Sequence, residues 1–249
     1  MTVSVALLFP DLLGTYGDSG NAAILAARLR WRGIDSEVIT VRSGQPVPDS
    51  CELYVVGGGE DLPQSQAAVQ LGADREGGPL RRAVDRGAVV LAVCAGMQIV
   101  GRSFTGPDGA PAAGIGLLDC STEPGRGPRM VGEIVVDPAP ELDLPALTGY
   151  ENHAGATSLG PAAQPLGRVR VGCGNGPGRG VDGARSGKVI GTYLHGPVLA
   201  RNPALADLLL TWAVGPLSPL DDTECDDLRG ERFAAVLGRP RRRVRAGRG

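Results

Sequence analysis

The sequence of 249 residues contains no run of 18 or more apolar residues, so we expect no membrane-spanning helix. Its beginning, MTVSVALLFPDLLG, has neither a basic segment nor a small-residue cleavage site, so no secretory signal is expected. The five cysteines are odd in number and widely spaced, and no Cys-x-x-Cys pair occurs. These absences argue against a disulfide framework and against a zinc cage, and they favour a reducing, cytoplasmic setting.

The composition is that of an ordinary folded protein. Hydrophobic residues make up 42% and charged residues 21%, and the 39 glycines and 20 prolines predict many turns. The net charge is −2, but six of the last 11 residues are arginines, so the rest of the chain is acidic. An acidic body with an isolated basic tail is not typical of a nucleic-acid-binding protein. We expect residues 239–249 to be a solvated, disordered terminus.

Strand and helix candidates alternate in the first hundred residues. Strands are predicted at 4–9, 35–41, 51–59 and 88–94, and helices at 20–33 and 77–87. This order predicts an α/β fold with a mostly parallel central sheet and helices on both faces.

The pattern changes after residue 105, where FTGPDGAPAAGIG is predicted to be a loop. Residues 129–137 alternate like a half-exposed antiparallel strand, and 168–196 are predicted to form a strand, a glycine-rich segment and a further strand. A helix follows, with Asn202 as its expected cap. We predict one domain over 1–215, and a linker with a short helix and the basic tail over 216–249.

Cys94 has a distinctive sequence context. The segment VLAVCAGMQIVG runs from an apolar strand through Cys94 into a helix-like pattern. Ligands of open α/β sheets bind at the carboxyl ends of strands. A residue on a tight strand-to-helix turn projects from the sheet and needs small neighbours, here Ala92, Ala95 and Gly96. The helix N-terminus is expected to lower the pKa of the thiol from its usual ~8.5, so we predict Cys94 to be a nucleophile and the other four cysteines to be unreactive.

A thiolate that cleaves an amide needs a proton donor for the leaving nitrogen, usually a histidine. The sequence has only two, His153 and His195. His195 ends the apolar strand KVIGTYLH and is followed by Gly196 and Pro197, so it is also expected at an edge of the sheet. His153 lies in a polar turn. We therefore predict His195 to be the partner of Cys94.

Backbone amides are the expected donors for the oxyanion that forms when the thiolate attacks. The glycine run in VVGGGEDLPQ ends a neighbouring strand, and glycine lets an amide approach without obstruction by Cβ. We predict that the amides of Gly58, Gly59 and Ala95 form an oxyanion hole.

Taken together, the motifs resemble those of the class I glutamine amidotransferases of the CobQ/CobB-like branch. Several longer segments resemble the glutaminase subunit (GatD type) of lipid II isoglutaminyl synthase: FPDLLGTYGDSGN, GGGEDLPQ, GPRMVGE, GYENHAGAT and GTYLHGPVLARNPALADLLL. The resemblance spans about residues 3–215. It implies a three-layer, flavodoxin-like class I glutamine amidotransferase fold, in which antiparallel strands are added to the mostly parallel central sheet.

The resemblance also implies a reaction. Cys94 attacks the side-chain amide of L-glutamine, His195 protonates the departing ammonia, and water hydrolyses the thioester to glutamate. Arg129 matches an arginine that holds the glutamine, a task suited to a guanidinium because it can grip a carboxylate with two parallel hydrogen bonds. The resemblance also implies that His153, in GYENH, lies near the site and supports residues that contact the substrate.

The sequence departs from many class I members next to His195. They carry an acidic residue two positions after the histidine, whereas this chain has Pro197 and then Val198. The group that orients His195 is therefore missing, comes from elsewhere in the chain, or is supplied by a partner.

A partner is expected because the sequence has no complete phosphate-binding loop. The segment DGARSGKV comes nearest to one, but has Asp182 in place of the first glycine and Val189 in place of Ser or Thr. The resemblance implies a heterodimer with a Mur-ligase-like subunit (MurT type) that binds ATP and Mg, activates the D-glutamate carboxyl of lipid II and forms D-isoglutamine in peptidoglycan. We expect no metal or cofactor in this chain.

Two alternatives remain open. One is another enzyme on this fold, either a CobQ-like amidotransferase for cobyrinic acid or a DJ-1/PfpI-like cysteine hydrolase. Cobyrinate enzymes usually carry an upstream ATP-binding domain, and the first strand expected near residue 3 disfavours them. The other is a non-catalytic binding module in which Cys94 is a redox sensor.

Overall fold

The computed structural model describes residues 2–72 and 78–238. The strands are β1 (Val3–Leu8), β2 (Ser36–Val41), β3 (Leu53–Val56), β4 (Val89–Val93), β5 (Ser103–Thr105), β6 (Pro111–Ala113), β7 (Cys120–Pro124), β8 (Met130–Pro138), β9 (Leu147–His153), β10 (Gly155–Leu159), β11 (Gly167–Val171), β12 (Val181–Asp182), β13 (Ala184–Ser186) and β14 (Val189–Thr192). The α-helices are α1 (Gly20–Arg30), α2 (Asp61–Gln70), α3 (Pro79–Asp85), α4 (Ala95–Val100), α5 (Val198–Arg201), α6 (Pro203–Val214) and α7 (Thr223–Leu237).

The central sheet has six strands in the order β13-β14-β4-β3-β1-β2. All neighbouring strands run parallel except β13, which is antiparallel to β14. Every residue of β3 and β4 is buried, as expected for parallel strands covered on both faces. The predicted mostly parallel sheet is confirmed.

Helices form the outer two layers. The chain passes from β1 to β2 in one direction along the sheet and from β3 to β4 in the other, so right-handed crossovers put α1 and α2–α3 on opposite faces. On one side α1 packs against α5 and α6, and on the other α2 packs against α4. The predicted three-layer α/β fold is therefore correct.

Two further sheets of four strands each extend the central sheet, in the orders β10-β7-β5-β6 and β12-β11-β8-β9. The antiparallel strand predicted at 129–137 is β8, which pairs antiparallel with both β9 and β11. The last sheet meets the end of β14 through Tyr150 and His195, whose backbone N–H groups donate to each other's carbonyls at 3.1 and 2.8 Å.

Several parts of the secondary structure were not predicted. Strands β7, β9 and β10 have no counterpart in the predictions, and His153, expected in a polar turn, is the last residue of β9. Helix α2 and strand β6 were missed as well. Helix α2 has a weak apolar face, because only Gln64, Ala67 and Ala68 are buried along it. The expected loop after residue 105 contains β6, which forms a short hairpin with β5. Both depend on contacts with neighbouring segments more than on local pattern.

The expected capping role of Asn202 is wrong. Asn202 lies at the N-cap position of α6, but its side chain makes no capping hydrogen bond. Instead its Oδ1 accepts from Thr148 N–H at 2.9 Å, and its Nδ2 donates to the carbonyls of Thr148 and Val198 at 2.8 and 2.7 Å. The side chain therefore joins the start of α6 to β9.

Residues 215–222 connect α6 to α7, and α7 is the short helix expected within 216–249. The buried Arg28 guanidinium anchors that segment, donating to Asp207 and Asp222 at 2.7 to 2.8 Å. The prediction for the basic tail 239–249 lies outside the described residues, and the division at 215 stays a prediction. None of the described helices is long and apolar enough to cross a membrane.

We predict that Asn202→Ala lowers the free energy of unfolding by about 2–4 kcal/mol, because it leaves the buried backbone of Thr148 without its partners. Urea denaturation measures the change. The control Gln66→Ala removes an exposed amide side chain and should change stability by less than about 0.5 kcal/mol. Equal stability of the two variants would contradict the assigned role of Asn202.

Candidate active site

Cys94 occupies the predicted turn between β4 and α4. Its φ of 53° is a backbone conformation that a non-glycine residue rarely adopts. The backbone at Gly96 packs so closely against the end of β3 that a Cβ there would collide with Val56 O. The thiol is less exposed than expected, since only 5% of the residue is accessible, and Cys94 lines a cavity instead of reaching open solvent.

His195 follows the carboxyl end of β14, next in the sheet to β4. The residue is 2% exposed. Its Nε2 is buried and has no hydrogen-bond partner among the described residues. The structure brings His195 and Cys94 to the same edge of the sheet, because β4 and β14 run parallel.

The group that orients His195 is Asp18, which sequence reasoning missed. Asp18 lies in the loop after β1, is fully buried, and its Oδ2 accepts from His195 Nδ1 at 2.9 Å. The same oxygen accepts from Gly58 N–H at 2.9 Å. The available signal was the acid in GTYGDSG, just after a strand that ends at this edge.

The environment of His195 favours its protonated form. Burial by itself lowers the pKa of His195, but the hydrogen bond to Asp18 and the charges of Cys94 and Asp18 outweigh that effect. The pKa rises from 6.5 to about 9. The imidazole therefore holds its proton at neutral pH, with Nδ1 turned to Asp18 and Nε2 left for another partner.

The oxyanion hole predicted for Gly58, Gly59 and Ala95 stays a prediction, and in this structure the N–H of Gly58 donates to Asp18. Gly58 instead allows close packing: a Cβ there would lie 2.8 Å from His195 Cε1 and 3.1 Å from Asp18 Oδ2. Gly59 and Ala95 both line the cavity beside Cys94. Their amides make no backbone hydrogen bond within the described chain and stay candidate donors.

The cavity next to Cys94 has a volume of about 170 Å³. This is below the ~300 Å³ at which pockets for drug-sized ligands begin, and it suits a small metabolite. Arg129 and His153 also line it, whereas Gly58 and His195 do not. The polar walls include Gln64 and Gln98, whose side-chain amides bond to each other at 2.9 Å.

Arg129 lies just before β8 and reaches the rim of the cavity. Its Nε donates to Asn152 Oδ1 at 2.5 Å, and its Nη2 donates to Asn152 O at 3.2 Å and to Tyr16 Oη at 3.0 Å. One edge of the guanidinium is thus held by the protein. Its Nη1 makes no hydrogen bond to any described residue, so it can bind an anionic group in the cavity.

His153 is buried and stacks on Tyr193, with ring centroids 3.7 Å apart. Its Nδ1 lies 3.0 Å from Gly155 O, which can only accept, so Nδ1 carries the proton. Its Nε2 lies 3.9 Å from Glu151 Oε2. His153 therefore shapes one wall of the cavity. It makes no contact that orients His195, whose hydrogen-bond partner is Asp18.

No group of three or more potential metal-ligating side chains occurs within 2–72 and 78–238.

Known structures share this fold. The glutaminase domain of Trypanosoma brucei CTPS, solved with bound acivicin, has a TM-score of 0.55 at 11% sequence identity, and the match covers 87% of this chain and 96% of that chain. This chain therefore has the same fold as that glutaminase domain.

Residues 4–203 match the model of the CobB/CobQ-like glutamine amidotransferase domain. The chain belongs to this family of glutamine amidotransferases. The GatD subunit of lipid II isoglutaminyl synthase (glutamine-hydrolyzing) from Staphylococcus aureus is 33% identical over 201 residues, covering 80% of this chain and 79% of that protein. A cobyric acid synthase from Mesorhizobium japonicum is 36% identical over 171 residues, covering 64% of this chain and 31% of that protein.

Family membership makes the chain an amidotransferase enzyme. It argues against the alternative of a non-catalytic, redox-sensing module.

We predict that His195 titrates near pH 9, staying protonated below that pH and losing its proton above it. Two-dimensional NMR can follow it, since the chain has only two histidines and a His153→Gln variant assigns the signals. In Asp18→Asn the midpoint should move to lower pH, because a neutral amide stabilises imidazolium less than a carboxylate does. A wild-type midpoint near the ordinary 6.5 would contradict the assigned environment.

Proposed function

We propose that this chain is the glutamine-hydrolysing subunit of a lipid II isoglutaminyl synthase. The observation that carries the proposal is the meeting of Cys94, His195 and Asp18 at one edge of the sheet, beside a small cavity that Arg129 lines. The similarity to the GatD subunit of S. aureus, which extends over about four fifths of both chains, supports the choice of reaction.

The proposed first step is attack of the Cys94 thiolate on the side-chain amide carbon of L-glutamine. The negative charge that develops on the amide oxygen is stabilised by the N–H groups of Gly59 and Ala95, two residues that line the same cavity as Cys94. Arg129 holds the glutamine carboxylate through its free edge. These contacts orient the amide carbon toward the sulfur.

The C–N bond then breaks, and His195 gives its Nε2 proton to the departing nitrogen, which leaves as ammonia. The raised pKa of His195 supports this role, because the imidazole is protonated at neutral pH and can act as the acid. Asp18 keeps the ring in the orientation that turns Nε2 away from the carboxylate. Water attacks the thioester, His195 takes up its proton, and glutamate and the Cys94 thiolate are released.

The ammonia is passed, in this proposal, to a Mur-ligase-like subunit (MurT type) in a heterodimer. That subunit binds ATP and Mg and activates the D-glutamate carboxyl of lipid II, which ammonia converts to D-isoglutamine in peptidoglycan. The sequence of this chain has no complete phosphate-binding loop with which to do so itself.

A second candidate acceptor is cobyrinic acid, since a cobyric acid synthase is 36% identical over 171 residues. That similarity covers a smaller share of this chain than the similarity to GatD does. Glutamine-dependent amidation of lipid II, tested with the co-purified ligase, distinguishes the two acceptors.

We predict that Cys94→Ala lowers glutamine hydrolysis by more than about 10³-fold, because no other thiol lies in the turn. In the complex with the ligase, this variant should lose amidation of lipid II with glutamine but keep it with ammonium chloride, which bypasses the glutaminase. Mass spectrometry of lipid II and a glutamate assay measure both activities.

The control Cys225→Ala removes an exposed thiol on α7 and should keep both activities at wild-type level. Continued release of glutamate and ammonia from glutamine by Cys94→Ala would disprove the proposed role of Cys94.

We predict that Asp18→Asn lowers kcat by about 10²- to 10⁴-fold, because it disturbs the orientation and charge of His195. Wild-type kcat/KM should fall as pH rises through about 9, where His195 loses the proton that it donates. In Asp18→Asn this alkaline limb should shift to lower pH. An unchanged pH profile of kcat/KM in Asp18→Asn would show that Asp18 does not affect the proton transfer by His195.

A further inference from the structure

Tyr16 connects the two halves of the candidate site. It lies in the loop after β1, two residues before Asp18. Its ring packs against the His195 ring, with centroids 4.6 Å apart and planes tilted by 49°. A Cβ on Gly58 would lie 3.2 Å from Tyr16 Cδ2. The aromatic ring therefore covers the imidazole from a third direction, beside Asp18 and Gly58.

The hydroxyl of Tyr16 points to the rim of the cavity. Its oxygen accepts from Arg129 Nη2 at 3.0 Å, and its O–H donates to Glu60 Oε1 at 3.4 Å. Burial raises the pKa of Tyr16 and Glu60 adds to the rise, while Arg129 opposes it; the net direction is upward. The hydroxyl therefore keeps its proton at neutral pH and can accept and donate at once.

The hydrogen bond from Arg129 limits the freedom of a long side chain. Holding an unrestrained arginine in one rotamer costs side-chain conformational entropy. Tyr16 and Asn152 supply that restraint before any ligand arrives, because they bind the Nε–Nη2 edge of the guanidinium. A pre-ordered cation binds a carboxylate more tightly than a mobile one.

We infer that Tyr16 is a positioning residue that orders Arg129 for the glutamine carboxylate through its hydroxyl and shields His195 from water through its ring. The inference rests on the proposed glutaminase function. It assigns separate effects to two parts of one side chain. The hydroxyl acts on substrate binding, and the ring acts on the chemical step.

Two substitutions separate these effects. Tyr16→Phe removes the hydroxyl alone, and it should raise KM for glutamine about tenfold, as expected for loss of a hydrogen bond to a charged group, and leave kcat and its pH profile unchanged. Tyr16→Leu also removes the ring, and it should in addition lower kcat and shift the pH profile, because water then reaches His195. Steady-state kinetics from pH 6 to 10 measure both variants.

A double-mutant cycle tests whether the hydroxyl acts through Arg129. Arg129→Ala should weaken glutamine binding, and adding Tyr16→Phe to it should cause no further loss, since the hydrogen bond is already gone. Titration calorimetry of glutamine binding, done on the Cys94→Ala background, gives the four dissociation constants without turnover. Multiplicative losses in the cycle would refute the coupling.

The control Trp31→Leu removes an exposed aromatic ring that does not line the cavity, and it should keep wild-type kinetics. Circular dichroism and urea denaturation of each variant check that it is folded. A wild-type KM in folded Tyr16→Phe, with an active wild-type enzyme, would overturn the inference and leave the proposed function intact. A wild-type complex that does not hydrolyse glutamine would overturn the proposed function itself.

Discussion

The Asp18 carboxylate has no exposed surface, and its Oδ2 accepts two hydrogen bonds, from the Gly58 amide and from His195 Nδ1. A buried carboxylate is costly unless charged or polar partners replace the water that it loses. The two partners come from the ends of β3 and β14, so the carboxylate joins three segments that are far apart in the chain. This arrangement also needs a glycine at position 58, because a Cβ there would crowd both Asp18 and His195.

The two kinds of sheet contribute different parts of the site. The parallel sheet brings Cys94, His195 and Asp18 together, because β1, β4 and β14 all end at one edge. The antiparallel additions bring in Arg129, which directly precedes β8, and Asn152, the second-last residue of β9. The backbone bridge between Tyr150 and His195 holds the second group against the first. In the proposed reaction the central sheet supplies the nucleophile and its histidine, and the antiparallel sheet supplies the substrate-binding arginine. The two sheets also meet where Thr192 Oγ1 donates to Asp182.

Local pattern predicted those parts of the fold in which burial is uniform. Strands β3 and β4 are buried on both faces, so they stand out in the sequence as short apolar runs. Helix α2 was missed because its buried face consists of two alanines and a glutamine, a pattern with little apolar contrast. Asn202 was expected to cap a helix, but its buried side chain finds backbone partners on β9 that no local pattern could indicate.

The sequence by itself determined the α/β class, the turn that carries Cys94, and the choice of His195 over His153. Each of these follows from residues adjacent in the chain, through apolar runs, small residues and a strand that stops. Only the tertiary structure decided that Asp18 orients His195, that the Gly58 amide is already used, and that Tyr16 links Arg129 to the histidine. These contacts join residues separated by 40 to 177 positions. They exist because parallel strands bring their carboxyl ends to one edge of the sheet. The local sequence does not indicate which loop residues meet there.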